Sequence, residues 1–344
     1  MSYSFGKYIV NVREEKDAQI LEHCQKIYDD LYISKETKDL ILYDFKLKKK
    51  ILNINFHIYQ ITSIHICKKP LIIDNQEFTF TKNSFFILTS SLDRKIALHH
   101  IFYIDNSFNY KLIAGCKPSR DEINNIIQIE NGQILVATRD QTVILFSNNI
   151  IDGKFQKLYE IIKDWPMDAS KLFHIKNNLI GVFWTYDDAE ADETFDEETG
   201  EINHAGDGII IYSIDNNEII EKKILKRKEV YGKNFLVLTK DKFILNYTIK
   251  DYMELGVYDL NNLEFLFKIK LDYIQRIYPF NKKNFISFHR EGDKAIFNIY
   301  NINTMKNVQN FEIKNDINTD EFFSPINENE YVFRNSIIAI YEKK

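Results

Sequence analysis

The sequence predicts an all-β chain: a seven-bladed β-propeller of four-stranded antiparallel blades, closed by its own N-terminal strand. Three observations predict it. The composition suits strands, a short hydrophobic phrase recurs seven times at blade-like spacing, and the two ends of the chain read as complementary parts of one blade.

Hydrophobic residues make up 44% of the 344 residues and aromatics 14%, mostly Tyr and Phe, with only 5 Pro and 11 Gly. β-Branched and aromatic side chains fit a pleated, half-buried surface, and this level of hydrophobicity supports a packed core rather than a disordered chain. No stretch approaches the roughly 20 apolar residues that cross a bilayer as a helix. The opening MSYSFGKYIVNVREE has no apolar core segment and no cleavage-like site, so a cytoplasmic location without a membrane partner is expected. Cys24, Cys67 and Cys116 are odd in number, widely spaced and form no CxxC pair, which fits free thiols rather than disulfide or zinc chemistry.

The recurring phrase is aliphatic, any residue, aliphatic, aromatic, then a small polar or acidic residue. It reads LILYD (Leu40–Asp44), IALHH (Ile96–His100), VILFS (Val143–Ser147), IIIYS (Ile209–Ser213), LGVYD (Leu255–Asp259), FNIYN (Phe297–Asn301) and IAIYE (Ile338–Glu342). Its aromatic-type position is Tyr43, His99, Phe146, Tyr212, Tyr258, Tyr300 and Tyr341, at successive intervals of 56, 47, 66, 46, 42 and 41 residues. A four-stranded blade repeats about every 40–45 residues, so two intervals are enlarged. Most phrases follow another apolar run (FFILTS, QILVATR, LIGVFW, FILNYT, FISF, YVF) across a short polar turn. One more apolar segment lies upstream, such as Ile123–Ile129 or Ile274–Phe280, and an alternating Lys-rich strand follows, such as Leu263–Leu271. Each unit therefore reads as four strands joined by hairpins.

The seventh phrase finishes two residues before Lys344, which leaves its blade without an outer strand, while SFGKYIVNV near the N-terminus belongs to no blade of its own. Pairing the two completes the ring and hides an edge that would otherwise invite aggregation. A single domain, 1–344, is expected. Two segments fit the register poorly. Ile20, Leu21, Cys24, Ile27, Tyr28 and Leu31 follow helical spacing where an inner strand is wanted, and both readings stay open with the strand ahead. The stretch between Cys67 and Ser84 is longer than its counterparts, with no clear pairing partner.

These phrases resemble degenerate copies of the WD-repeat propeller family. In ILVATRDQTVILFS (Ile134–Ser147), Asp140 matches the family's turn aspartate and Phe146 its tryptophan; Asp93 and His99 match in the preceding copy. Tyr43-Asp44 and Tyr258-Asp259 resemble the terminal Trp-Asp pair. The family's Gly-His pair is absent from every copy, so the resemblance implies that its hydrogen-bonded tetrad is incomplete here.

Chemistry is sparse. There is no G-x-S-x-G, P-loop, dinucleotide fingerprint or H-E-x-x-H. A calcium-loop reading from Asp192 fails at its sixth and twelfth positions, Glu197 and Asn203. His99 and His100 alternate faces on one strand, so they do not share a metal. Neither catalytic residues nor a cofactor are expected. Lys46, Lys48, Lys49 and Lys50, and Lys222, Lys223, Lys226, Arg227 and Lys228, fall where outer strands belong, and lysine there blocks edge pairing. With a net charge of −5 and no interleaved aromatics for base stacking, no nucleic-acid partner is expected.

The one feature the repeat does not require is an acidic insertion at 185–207, between two strands of the fourth blade. Residues 187–207 hold ten acids and no Lys or Arg. Phe195 to Ile202 reads as a hairpin with Gly200 in its turn. The candidate partner-binding residues are Trp184, Tyr186, Asp187, Asp188, Glu190, Asp192, Glu193, Phe195, Asp196, Glu197 and Glu198, with the aromatics as anchors and the carboxylates facing a basic protein partner. The expected function is a non-catalytic interaction scaffold. The alternatives are a propeller enzyme with an axial site for a small molecule and an inhibitor or immunity-type protein whose acidic arm blocks a basic site.

Overall fold

The computed structural model describes residues 2–3, 8–14, 24–163, 167–186, 194–196, 201–203, 208–226, 231–237, 241–249, 252–271, 276–281, 283–291, 294–314, 323–325, 330–333 and 336–342. They are all-β, with no helix among them, and their sheets are antiparallel apart from one short parallel pairing. The chain divides into two compact units, Ile27–Val230 and the pair of segments Met1–Lys26 and Tyr231–Lys344.

The unit Ile27–Val230 holds four consecutive meanders, apart from the first two residues of the first strand. The first sheet is Gln25–Tyr28, Leu31–Glu36, Asp39–Asp44 and Lys49–Asn55; the second is Ile61–Cys67, Ser84–Ser91, Ile96–Ile104 and Ser107–Cys116. The third runs Ile123–Gln128, Ile134–Thr138, Thr142–Ile151 and Lys154–Ile162, and the fourth Met167–Lys176, Leu179–Tyr186, Gly208–Asp215 and Glu218–Lys226. The other unit holds a fifth sheet, Tyr231–Val237, Lys242–Ile249, Tyr252–Asp259 and Phe265–Leu271, and a sixth, Arg276–Asn281, Asn284–Glu291, Lys294–Asn301 and Asn307–Lys314. Its seventh sheet orders Phe323–Pro325, Glu330–Phe333 and Ser336–Glu342, then takes the N-terminal Tyr8–Glu14 as its fourth strand. Ser2–Tyr3 adds a short fifth strand beyond it.

Every copy of the phrase lies on the third strand of its sheet. The correspondence extends to backbone detail. In the first six sheets the pairing between third and fourth strands slips just before the phrase aromatic, at Leu42/Tyr43, Leu98/His99, Leu145/Phe146, Ile211/Tyr212, Val257/Tyr258 and Ile299/Tyr300. A bulge there bends the strand and increases its twist. The seventh pairing, Tyr341 opposite Ile9, runs without a slip. There the fourth strand is not the hairpin continuation of the third, so no turn constrains the register.

Apolar clusters join neighbouring sheets within each unit. Ile33, Leu42, Phe85 and Ile87 link the first and second; Leu88, Leu98, Ile126 and Val136 link the second and third; Leu135, Leu145, Val182 and Tyr212 link the third and fourth. In the other unit Val257 and Phe285 join the fifth to the sixth, and Phe297, Ile340 and Val10 join the sixth to the seventh. The second, third and sixth sheets each lie between two others, so their third strands are apolar on both faces, the reason a phrase such as Val143–Leu145 is wholly buried.

Gln25–Tyr28 is a strand, so the part of the ambiguous 17–31 segment that is described follows the repeat register; residues 17–23 lie outside the described residues. The long Cys67–Ser84 stretch contains a hairpin, Leu71–Ile73 with Gln76–Phe78, whose first strand pairs in parallel with Asn149 and Ile150. The third sheet is therefore six-stranded, a departure from the uniform four. Leu71 is buried against the second and third sheets' core, with Ile73 and Phe78 packed beside it, and this burial holds the addition. Gly132 lets the chain pass: at φ +85°, a Cβ there would meet the Pro70 carbonyl at 2.5 Å. Lys49 and Lys50 open the first sheet's outer strand, whereas Lys46 and Lys48 sit in the turn before it. Lys222, Lys223 and Lys226 lie on the fourth sheet's outer strand, and Arg227 and Lys228 lie outside the described residues.

Candidate functional site

In a meander of four antiparallel strands, the link between strands two and three and the exit of strand four emerge at the same end. In Ile27–Val230 these links are stitched together: the N–H of Ile61 donates to Thr37 O at 2.7 Å, Leu92 to Gln60 O at 3.0 Å, Arg139 to Glu122 O at 2.9 Å and Lys163 to Gln141 O at 3.1 Å. The acidic insertion leaves the fourth sheet between strands two and three.

At this end of the second sheet a buried polar chain runs inward from the surface turn. Asp93 holds the His57 Nδ1 at 3.1 and 3.2 Å through its two carboxylate oxygens; His57 Nε2 lies 2.8 Å from Thr89 Oγ1, and Thr89 Oγ1 lies 3.2 Å from His99 Nε2. All four side chains are buried. A four-membered hydrogen-bonded chain is thus present without a Gly-His pair. The histidine comes from Phe56-His57 rather than from a Gly-His pair. Phe56 packs edge-on against both His57 and His99, with ring centroids at 5.0 and 5.7 Å. Space for it comes from Gly115 on the outer strand, where a Cβ would stand 3.2 Å from the Phe56 ring.

Burial pushes His99 down to about 4 and also lowers His57, with the Asp93 charge opposing the second shift. Asp93, His57 and Thr89 have the connectivity of a hydrolytic triad, but Thr89 is 0% exposed and its hydroxyl is shared with His99. The Thr89 hydroxyl is closed off from solvent, and at its outer end the chain accepts backbone N–H groups at Asp93. The third sheet keeps a shorter version, in which Ser119 Oγ donates to Asp140 at 2.6 Å, Thr138 donates to the other Asp140 oxygen, and Phe146 takes the place of His99.

The chain fixes a surface. Asp93 accepts the Ile58 N–H at 3.1 Å and the Lys95 N–H at 3.0 Å, and Ser91 Oγ donates to Tyr59 O at 3.1 Å. Ile58 and Tyr59 are nevertheless 65% and 60% exposed. Together with Leu92, Arg94, Lys117 and Glu122 they line a cavity of about 400 Å³. Glu122 is paired with Arg139 at 3.3 Å, while Arg94 and Lys117 have no partner among the described residues. The result is an apolar shelf beside two uncommitted cations, locked by backbone hydrogen bonds to a buried carboxylate.

The residues expected from sequence fare differently. Trp184 is 1% exposed and packs in the core between the third and fourth sheets with Val182 and Tyr212, so its indole is not a surface anchor. Its place on the fourth sheet's second strand, on the side that packs against the third sheet, is the physical reason. Phe195 and Asp196 lie on Thr194–Asp196, which pairs antiparallel with Glu201–Asn203, the hairpin that Gly200 implied. The Tyr186 side chain and Asp187, Asp188, Glu190, Asp192, Glu193, Glu197 and Glu198 lie outside the described residues. Ile58 and Tyr59 were missed; their signal was an apolar pair in an inter-blade link, directly after Phe56-His57.

His100, on the opposite face from His99, stacks on Phe86 at 4.5 Å and bonds Ser84 Oγ at 2.7 Å. No group of three or more His, Cys, Asp or Glu among the described residues is placed to hold a metal ion, and no helix among them is long and apolar enough to cross a membrane. No protein-family model matches the chain, and no curated protein matches it.

Proposed function

We propose that this chain is a non-catalytic protein–protein interaction scaffold whose sheets are the blades of a seven-bladed propeller related to the WD-repeat family. The observation that carries the interaction reading is the shelf of Ile58 and Tyr59, more than half exposed yet hydrogen-bonded to a buried polar chain. Exposed apolar side chains on rigid backbone lose little entropy on binding and serve as anchors. Support for the propeller comes from seven phrases on seven third strands, six shared bulges and an N-terminal strand completing the last sheet. The Asp93–His57–Thr89–His99 chain supports kinship with the family, whose tetrad joins the same strand positions. A protein partner would meet the shelf at the end of the sheets from which the acidic insertion also departs.

The double variant Ile58→Asp, Tyr59→Ala tests this in affinity purification from the native host. Both side chains are exposed, so the melting temperature should hold within a degree or two while a specifically bound partner is lost. A partner retained undiminished by the double variant would remove the shelf from the binding surface. Class averages from electron microscopy test the ring separately: an open or two-lobed particle would overturn the propeller.

A further inference from the structure

The first and second sheets of Ile27–Val230 line a second, open cavity, of about 470 Å³, at the end away from the Ile58–Tyr59 shelf. Its size is that of a small-molecule site. Tyr28, Tyr103 and Phe108 form an aromatic wall: Tyr103 and Phe108 meet edge-on at 4.9 Å, and Tyr28 and Phe108 both rest on the buried Phe85, at 6.3 and 6.4 Å. Ring faces attract ammonium groups, and this wall already holds one. Lys82 Nζ stands 5.5 Å over the Tyr28 ring while it pairs with Asp29 at 2.6 Å. Burial, then Asp29, Tyr103 and Asp44, hold the Tyr28 phenol above its usual range, which sets that phenol in the field of both carboxylates.

Asp44 and Lys49 also line the cavity, directly opposite one another on the third and fourth strands. Cross-strand neighbours of opposite charge ordinarily pair. These two do not: neither has an ion-pair partner among the described residues, and Asp44 spends only Oδ1, on the Leu47 N–H at 2.8 Å. The side-chain amide of Asn83, on the rim, is likewise unpartnered among the described residues. An unneutralised carboxylate and an unneutralised ammonium beside one aromatic wall suit a ligand that carries both charges. Ring faces attract a cation without accepting its hydrogen bonds, and Asp44 keeps one carboxylate oxygen for its charge. An alkylated ammonium needs no acceptors.

The geometry points to a binding site for a small zwitterion, its alkylated ammonium against Tyr28 and Tyr103 beside Asp44 and its carboxylate toward Lys49. This site is independent of the Ile58–Tyr59 shelf, and its failure leaves the interaction reading untouched.

Saturation-transfer NMR on the full chain, with glycine betaine and tetramethylammonium as probes, tests it. Betaine should bind about tenfold more tightly than tetramethylammonium, because Lys49 attracts the first and repels the second. Lys49→Gln should bring the two probes level, and Asp44→Asn and Tyr103→Ala should each weaken betaine by about tenfold. Lys49 and Tyr103 are exposed, and far-ultraviolet circular dichroism establishes that each variant is folded. No transfer from either probe at millimolar concentration would overturn the proposal. So would tetramethylammonium binding as tightly as betaine, or betaine binding unchanged by Asp44→Asn and Tyr103→Ala.

Discussion

His99 stands where the other six phrases place Tyr or Phe, and that change turns a packing position into the inner end of a hydrogen-bonded chain. Its Nδ1 has no partner among the described residues, and burial holds its pKa near 4, against about 6.5 in an unfolded chain. The unfolded state therefore takes up a proton that the native state refuses between those values. The stability tied to His99 is complete above pH 6.5 and declines as pH falls toward 4, by about 2–3 kcal/mol at pH 4.5. His65, also lowered to about 4, adds to the same decline. In His99→Phe, which copies Phe146 of the third sheet, the fall in unfolding free energy between pH 7.5 and 4.5 should shrink by that amount. Urea titrations at the two pH values measure it, and equal falls in wild type and variant would contradict the buried neutral imidazole. At this scale the sequence was least legible. Asp93 and His99 were identified from their phrase, but His57 lies more than thirty residues before Asp93, and Gly115 beyond both. Only folding shows that they adjoin.

The strands themselves were the most legible element. A third strand covered on both faces must be apolar at every position, and the phrase records that directly. Tyr258 and Tyr300 occupy equivalent places, stacked on Phe243 and Phe285 with ring centroids 5.1 Å apart in each pair. Tyr258 is 6% exposed, so Tyr258→Ala should cost about 3 kcal/mol in chemical denaturation. A cost under about 0.5 kcal/mol would contradict the packing. The N-terminal strand carries more. Tyr8 and Val10 are fully buried in the sixth and seventh sheets' core, the Tyr8 N–H donates to Gln309 Oε1 at 2.8 Å, and Asn284 Nδ2 donates to the Tyr8 hydroxyl at 2.7 Å. Deleting residues 2–12 uncovers Ser336–Glu342 as a long apolar edge, and aggregation or loss of cooperative unfolding should follow. A monomeric deletion protein with an unchanged melting temperature would show that the strand is dispensable. The Leu71–Phe78 hairpin was not legible, because its parallel pairing with Asn149 and Ile150 leaves no local pattern.

Across the whole molecule, charge is distributed unevenly. Ten acids crowd residues 187–207, and the remaining residues, relieved of those ten negative charges, carry a formal +5. Like charges at this density repel one another, so the segment contributes little to stability. Replacing residues 187–203 with a short Gly/Ser link should leave the melting temperature nearly unchanged. A basic partner, by contrast, should bind that variant with a slower, less salt-sensitive on-rate, because screening acts within about 8 Å at physiological ionic strength. Unfolding of the replacement protein would make the insertion structural, and an on-rate indifferent to both salt and replacement would place the contact elsewhere.

By itself, the sequence determined the strand content, the sevenfold recurrence, the place of each phrase in its sheet and the pairing of the N-terminal strand with the last phrase. These follow from periodicity, because burial on two faces constrains every residue of a strand. What only the tertiary structure decided was which side chains face outward and which polar groups meet. Trp184 in the core, Ile58 and Tyr59 on the surface, Phe56 sheltered by Gly115, and Asp44 unpaired beside Lys49 all depend on contacts between strands far apart in the chain, and no local pattern records them.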